Sequence, residues 1–351
     1  MKITRMGIDL AKNVFQVHGV DEHGKAVLRK QVKRKDMASF FANLPPCLIG
    51  MEACGSAHHW ARKLSEYGHT VKLMAPQFVK PYRKTNKHDV ADAEAICEAV
   101  GRPNMRFVPV KAPDQQAILS VHRARQAFVK ARTAQGNQIR GLLSEFGIVM
   151  PKGIKAIAAR VPEILEDAEN GLPGAMRELV QRLEENLNKM DEQVKALEKQ
   201  ILAWHKENAG SRKIADVPGI GPLTASAFVA TVGDPHEFRN GRQCAAWIGA
   251  VPKQHSTGGK QVLQGISKRG DVYLRTLFIH GARACVRFAE KDTAPDCWLK
   301  KRVGRRNKNV AAVALANKNI RIAWALLAND RDYEPGFVST RPAAAQPGQA
   351  G

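Results

Sequence analysis

The sequence predicts an α/β domain followed by a mainly helical remainder, and three observations carry that reading. Short apolar runs between turn residues fill the first 110 positions, with helical patterns interleaved from residue 36 onward. A four-three repeat of apolar residues runs through 176–204. A Gly-rich basic stretch and an Ala-rich helical one come after it. The chain has 351 residues, room for two domains and a connector at roughly 100–200 residues per domain.

Strands are predicted over 3–10, 13–20 and 26–32, with Asp21-Glu22-His23-Gly24 as a turn. A short helix follows over 36–44, with Asp36 as its N-cap. Residues 47–52 read as a buried strand, and 56–67 as a helix closed by Gly68. A strand over 70–74, a helix over 89–100 ending at Gly101 and a short strand over 106–110 complete a mixed sheet with helices packed on it. Residues 113–146 read as a long basic helix. In 176–204, Met176, Val180, Leu183, Leu187, Met190, Val194, Leu197, Ile201 and Trp204 form an a/d seam. That seam suits either a coiled coil between chains or a hairpin packed on 113–146. Residues 211–290 read as a compact unit and 310–327 as a further helix. The domain expectation is therefore 1–112, a helical connector 113–210, a C-terminal domain 211–330 and a disordered tail 331–351.

Lys and Arg total 55 against 33 Asp and Glu, a net charge of +22. That balance favours a polyanionic partner, nucleic acid above all. The excess falls in two blocks that flank an acidic-to-neutral segment over 151–210. With 44% hydrophobic and 25% charged residues, the composition is that of a folded protein. No apolar run reaches the roughly 18 residues of a membrane span, and the N-terminus lacks a signal-peptide pattern. Six Cys without a CxxC favour reduced thiols over a zinc ribbon.

Four carboxylates stand out. Asp9 interrupts the first apolar strand, where a charge is costly unless it is paired or binds a cation. Glu52 ends a second buried strand. Asp89 and Asp92, at i and i+3, share a helical face near an N-terminus. A hard divalent cation, Mg²⁺ or Mn²⁺, would relieve their repulsion. Each has a plainer reading, such as a helix cap for Asp89.

In the C-terminal half, Gly219 and Gly221 open a helix in a turn like that of a helix-hairpin-helix. Such a turn either grips a DNA phosphate through backbone N–H groups or simply joins two helices. Ser256 lies in a Gly-rich loop with Lys253, Lys260, Lys268 and Arg269, and Arg275 follows. Cations there would stabilise charge on a reacting phosphodiester. Ser267, ahead of an apolar-periodic run, reads as an N-cap. Residues 291–308 read as a basic face for nucleic acid.

The segments GIDLAK, GMEACGSAHHWARKL and KHDVADAEAI resemble the RuvC-like (RNase H-like) domain of the DEDD transposases of the insertion sequence family numbered 110. GAVPKQHSTGGK, GISKRGDVYLR and HGARA resemble that family's C-terminal transposase segment, most closely the subgroup numbered 1111. The resemblance implies an Mg²⁺ site at Asp9, Glu52, Asp89 and Asp92, and a nucleophilic Ser256 that becomes joined to DNA. It also implies donor and target DNA, an element-encoded noncoding guide RNA, and a homo-oligomer, dimer or tetramer, in the bacterial cytoplasm at the nucleoid. Thr257, where many relatives carry a second Ser, is the other hydroxyl to weigh. A metal-dependent nuclease or junction resolvase, with water as nucleophile and Ser256 only binding phosphate, is the alternative.

Overall fold

The computed structural model describes residues 2–84, 88–258, 260–289 and 298–336. The chain divides into two compact units, Met1–Pro113 and Asp114–Gly351.

In the first unit, β1 (Arg5–Leu10), β2 (Val14–Val20) and β3 (Ala26–Lys33) form an antiparallel meander. Then come α1 (Met37–Ala42), β4 (Leu48–Glu52), α2 (Ala57–Glu66) and β5 (Thr70–Met74). The unit closes with α3 (Pro76–Val79), α4 (Asp89–Val100) and β6 (Phe107–Val108). The sheet order is β3-β2-β1-β4-β5-β6, with β4 parallel to β1 and β5, and β6 antiparallel to β5.

Strand alternation sorts the two faces of β1. Met6 and Ile8 are buried with Phe15, Trp60 and Leu64 in one core. Gly7 faces the other way, under α4. A Cβ on Gly7 would lie 2.2 Å from the Ala93 carbonyl oxygen and 2.4 Å from the Cys97 nitrogen. Gly50, its partner across the β1–β4 ladder, would place a Cβ 2.7 Å from the Val100 Cβ. Two paired glycines thus form a shallow bed that lets α4 lie close to the sheet.

One helix start differs from expectation. A 3₁₀ turn at Arg34–Asp36 leads into α1, so the Asp36 backbone is already helical and its side chain caps nothing. α4 ends at Gly101 as expected, with φ −83°, and Gly68 after α2 sits in the left-handed region at φ +85°.

The second unit begins with α5 (Pro113–Ser144), α6 (Ile154–Glu166) and α7 (Gly174–Glu207). It continues with α8 (Ala209–Ala215), α9 (Pro222–Val232) and α10 (Gly241–Ile248). A hairpin of β7 (Pro252–Thr257) and β8 (Lys260–Ile266) follows, then α11 (Val272–Ala289), α12 (Trp298–Val303) and α13 (Lys308–Ala328).

The heptad seam of α7 is occupied within the chain. Val180 and Leu187 are buried with Ile139 and Leu143 of α5 and Ile157 and Val161 of α6. Ile201 joins Ile118, Leu119 and Ala230. Polar ties flank this packing: Arg125 Nε donates to Glu198 Oε1 at 2.9 Å, and Arg132 pairs with Asp191. His122 is 1% exposed on α5. The Ser226 hydroxyl donates to the Pro222 carbonyl at 2.7 Å, so it accepts from His122 Nε2, 3.1 Å away. His122 Nδ1 then accepts from the Tyr273 hydroxyl at 2.9 Å. Burial, with Arg125 nearby, pushes the imidazole down to about 4.

Phe228, Leu274, Phe278, Ala316 and Ile320 centre the C-terminal core. α13 is long and apolar enough to cross a membrane by length and composition, contrary to the sequence reading. Its Ala311, Leu315, Ile320 and Ala323 lie in that core, which accounts for the composition. Residues 291–297 and 337–351, parts of the expected basic face and tail, lie outside the described residues.

Candidate active site

Asp9 and Glu52 come together through the parallel ladder. Ile8 pairs with Met51, so the two carboxylates are the next residues on neighbouring strands. Asp9 alternates with Gly7, and Glu52 with Gly50, so both leave the sheet on the α4 face. Both bear on Cys54, whose thiol is pushed up by burial first and then by Glu52 and Asp9.

α4 runs antiparallel to β1. Its end meets the start of the strand, where a Cβ on Gly101 would strike the Arg5 guanidinium, and Ala93 meets Gly7. A helix rises about 1.5 Å per residue and a strand about 3.3 Å. Two strand residues beyond Gly7 therefore match about four helix residues, which brings Asp9 level with the first turn of α4. Asp89 and Asp92 occupy that turn. Asp92 is half-buried and forms an ion pair with Arg83, Nε to Oδ1 3.2 Å, while Asp89 is exposed. The cap role weighed for Asp89 belongs to His88, whose Nδ1 accepts from the Ala91 amide at 3.2 Å.

All four donors are carboxylate oxygens, the chemistry that a hard divalent cation takes. Among the described residues, no three His, Cys, Asp or Glu are gathered closely enough to hold a metal. Two neighbours of the quartet carry no sequence motif. One is Arg83. The other is Gln16, directly opposite Asp9 on β2, buried with its Oε1 unpartnered. A polar residue in a buried strand was the only available signal for Gln16.

Ser256 is not in a loop. It lies on β7, all six of whose residues are exposed. The Gln254 amide Nε2 donates to Ser256 Oγ at 2.8 Å, which leaves the hydroxyl proton free. Gln254 and Ser256 share one face of the strand, and Thr257 takes the other. The two hydroxyls therefore cannot address a phosphate from the same side. Lys253, Lys260, Lys268 and Arg269 are exposed around this hairpin.

Three expectations fail here. Arg275 is not a phosphate ligand: it is 7% exposed, and its Nη1 donates to the Ile248 carbonyl at 2.9 Å at the end of α10. Gly219 is not an open phosphate grip. It sits at φ +89° with Cys285, Asn319 and Gly281 within 3.2 Å of a Cβ position, and Asn319 Nδ2 donates to the neighbouring Pro218 carbonyl. Gly221, at the N-cap of α9, has open space beside it. Ser267 does not cap α11, because Asp271 Oδ1 accepts from the Leu274 amide at 2.9 Å and does so instead.

Residues 6–148 match the model of the DEDD transposase domain (DEDD_Tnp_IS110). Residues 211–295 match the transposase model of the IS116/IS110/IS902 family. A probable family 20 transposase of Pseudomonas aeruginosa is 55% identical over 96% of this chain and 100% of its own length. The transposase of insertion sequence element IS1111A from Coxiella burnetii is 45% identical over 94% of this chain and 91% of its own. That of IS1328 from Yersinia enterocolitica is 42% identical over 92% and 96%. The mixed sheet with its DEDD match fits an RNase H-like fold.

Proposed function

The chain belongs to the IS116/IS110/IS902 transposase family, and on that premise we propose that it moves an insertion sequence by serine chemistry at Ser256. Ser256 Oγ attacks a DNA phosphorus, a P–O bond to the deoxyribose breaks, and the protein becomes joined to DNA through a phosphoserine link. The freed sugar hydroxyl takes the proton. Return attack by a hydroxyl from the exchanged strand restores the serine and rejoins DNA without loss of the phosphodiester. The observation that carries this reading is an exposed Ser256, hydrogen-bonded by Gln254 and set among exposed cations.

Asp9, Glu52, Asp89 and Asp92 are the residues to hold Mg²⁺ or Mn²⁺ in this reading. The bound ion would supply charge neutralisation at the phosphate. Gln254 orients the hydroxyl. Lys253, Lys260, Lys268 and Arg269 bind the backbone that presents the phosphate, and Gly221, open at the N-cap of α9, is a further backbone contact. A structured noncoding RNA supplies target choice by base pairing. Assembly into a dimer or tetramer belongs to the same reading. Domain limits at 112, 210 and 330 follow the same reading. The setting is the bacterial cytoplasm, at the nucleoid.

The test incubates the protein with divalent ion, element RNA and labelled donor and target DNA, then resolves the products on a denaturing gel. Wild type yields a protein–DNA adduct, and Ser256→Ala and Asp9→Ala each abolish it. Cleavage without an adduct, persisting in Ser256→Ala, makes water the nucleophile and the protein a metal-dependent nuclease.

A further inference from the structure

The β7–β8 hairpin is an unusual way to carry a reactive hydroxyl. Every residue of β7 is exposed, and on β8 Val262 and Leu263 are 54% and 66% exposed. Neither face therefore has a core to rest on. A two-stranded hairpin alone is marginally stable in water. Among the described residues, this one is fastened at its base. Gly249, at φ +79°, lies so close to Arg269 that a Cβ would sit 1.8 Å from its carbonyl oxygen, and the Ser267 amide donates to the Val251 carbonyl at 2.8 Å. The rest projects as a ribbon. Strands about 4.8 Å apart, with side chains on both faces, make a body close in width to the ~12 Å major groove of B-DNA. The charge fits as well: residues 238–270 contain six Lys or Arg and no Asp or Glu.

We propose that the β7–β8 ribbon enters the major groove of duplex DNA, so that a groove contact rather than a protein surface completes its packing. The inference rests on the reading that the chain acts on DNA. One face of the ribbon presents Gln254, Ser256 and Leu263, and the other presents His255, Thr257, Lys260 and Val262. The face that carries Val262 then lies against the bases, where Val262 meets a thymine methyl group, and Lys253 and Lys260 reach phosphates at the groove's edges. An A-form RNA duplex is excluded as the occupant, because its major groove is too deep and narrow for side chains.

The experiment uses the full chain bound to a duplex carrying its donor junction. Dimethyl sulfate interference at guanine N7 reports the major groove, and the salt dependence of binding reports phosphate contacts. Wild type shows N7 interference over a few base pairs. Val262→Ser reduces that interference at an unchanged melting temperature. Lys253→Ala and Lys260→Ala each flatten the slope of log K against log salt by about one unit. Ser256→Ala keeps the footprint, which separates docking from chemistry. Binding to the duplex without N7 interference, or a footprint that the ribbon variants leave unaltered, overturns the ribbon inference alone. Absence of any duplex binding overturns it together with the reading that the chain acts on DNA.

Discussion

The two candidate sites are built in opposite ways. The carboxylate end of the sheet is set by a packed core: Asp9 and Glu52 are placed by the residues immediately before them, and α4 is held down by Gly7 and Gly50. The serine ribbon has no core of its own. A site that holds repelling charges needs a rigid frame, whereas a nucleophile that must travel to a phosphate gains from an exposed support. The comparison predicts that activity and stability are coupled at one site and independent at the other.

The largest expected effect is at Ser256. Ser256→Ala removes the protein–DNA adduct altogether and changes stability by no more than about 0.5 kcal/mol, because the side chain is exposed. A gel and a urea melt on the same preparation check both halves. A marked fall in stability breaks the contrast from the ribbon side.

Gly7→Val acts on both properties. Its Cβ meets backbone atoms of Ala93 and Cys97 that cannot swing away, so α4 must lift. Overpacking of this kind costs about 1–3 kcal/mol, read as an earlier urea midpoint, and activity falls with it. Unchanged stability would show that the frame is looser than the packing implies.

His122 gives a comparably large effect that depends on pH. Its folded value, about 4, lies below the ordinary 6.5, so the unfolded chain binds the extra proton first. Stability is therefore lost as pH falls from about 6.5 to about 4, by about 3 kcal/mol at most. His122→Gln removes that slope, as urea melts across the range will show.

The smallest effect is at the ion pair of the quartet. Arg83→Ala frees Asp92 and costs at most about 1 kcal/mol, since both partners are only partly buried. It sharpens the comparison by raising affinity for Mn²⁺, followed by calorimetry, if Arg83 competes with a cation for Asp92.

What the sequence revealed follows from what periodicity can carry. β1, β2 and β4 are buried on both faces and β5 and α4 over most of their length, so they show as short apolar runs between turn residues, and Asp9 stands out against apolar neighbours. The β7–β8 ribbon buries neither face, so it has no apolar alternation and reads as a loop. α6 went unread beside the clearer pattern of α7, with Pro162 interrupting it. Arg275 reads as one more surface cation because composition cannot tell a buried guanidinium from an exposed one. Gln16 and Arg83 depend on ladder register and helix placement, which only the folded chain supplies.

The most direct test of the central claim is to identify the atom joined to DNA. Adduct trapped from wild type is digested with protease and nuclease, and the nucleotide-bearing peptide is sequenced by tandem mass spectrometry. The account predicts the nucleotide on Ser256 and none on Thr257, which faces the other side of the ribbon. A nucleotide on Thr257, or on any residue outside the ribbon, would contradict it.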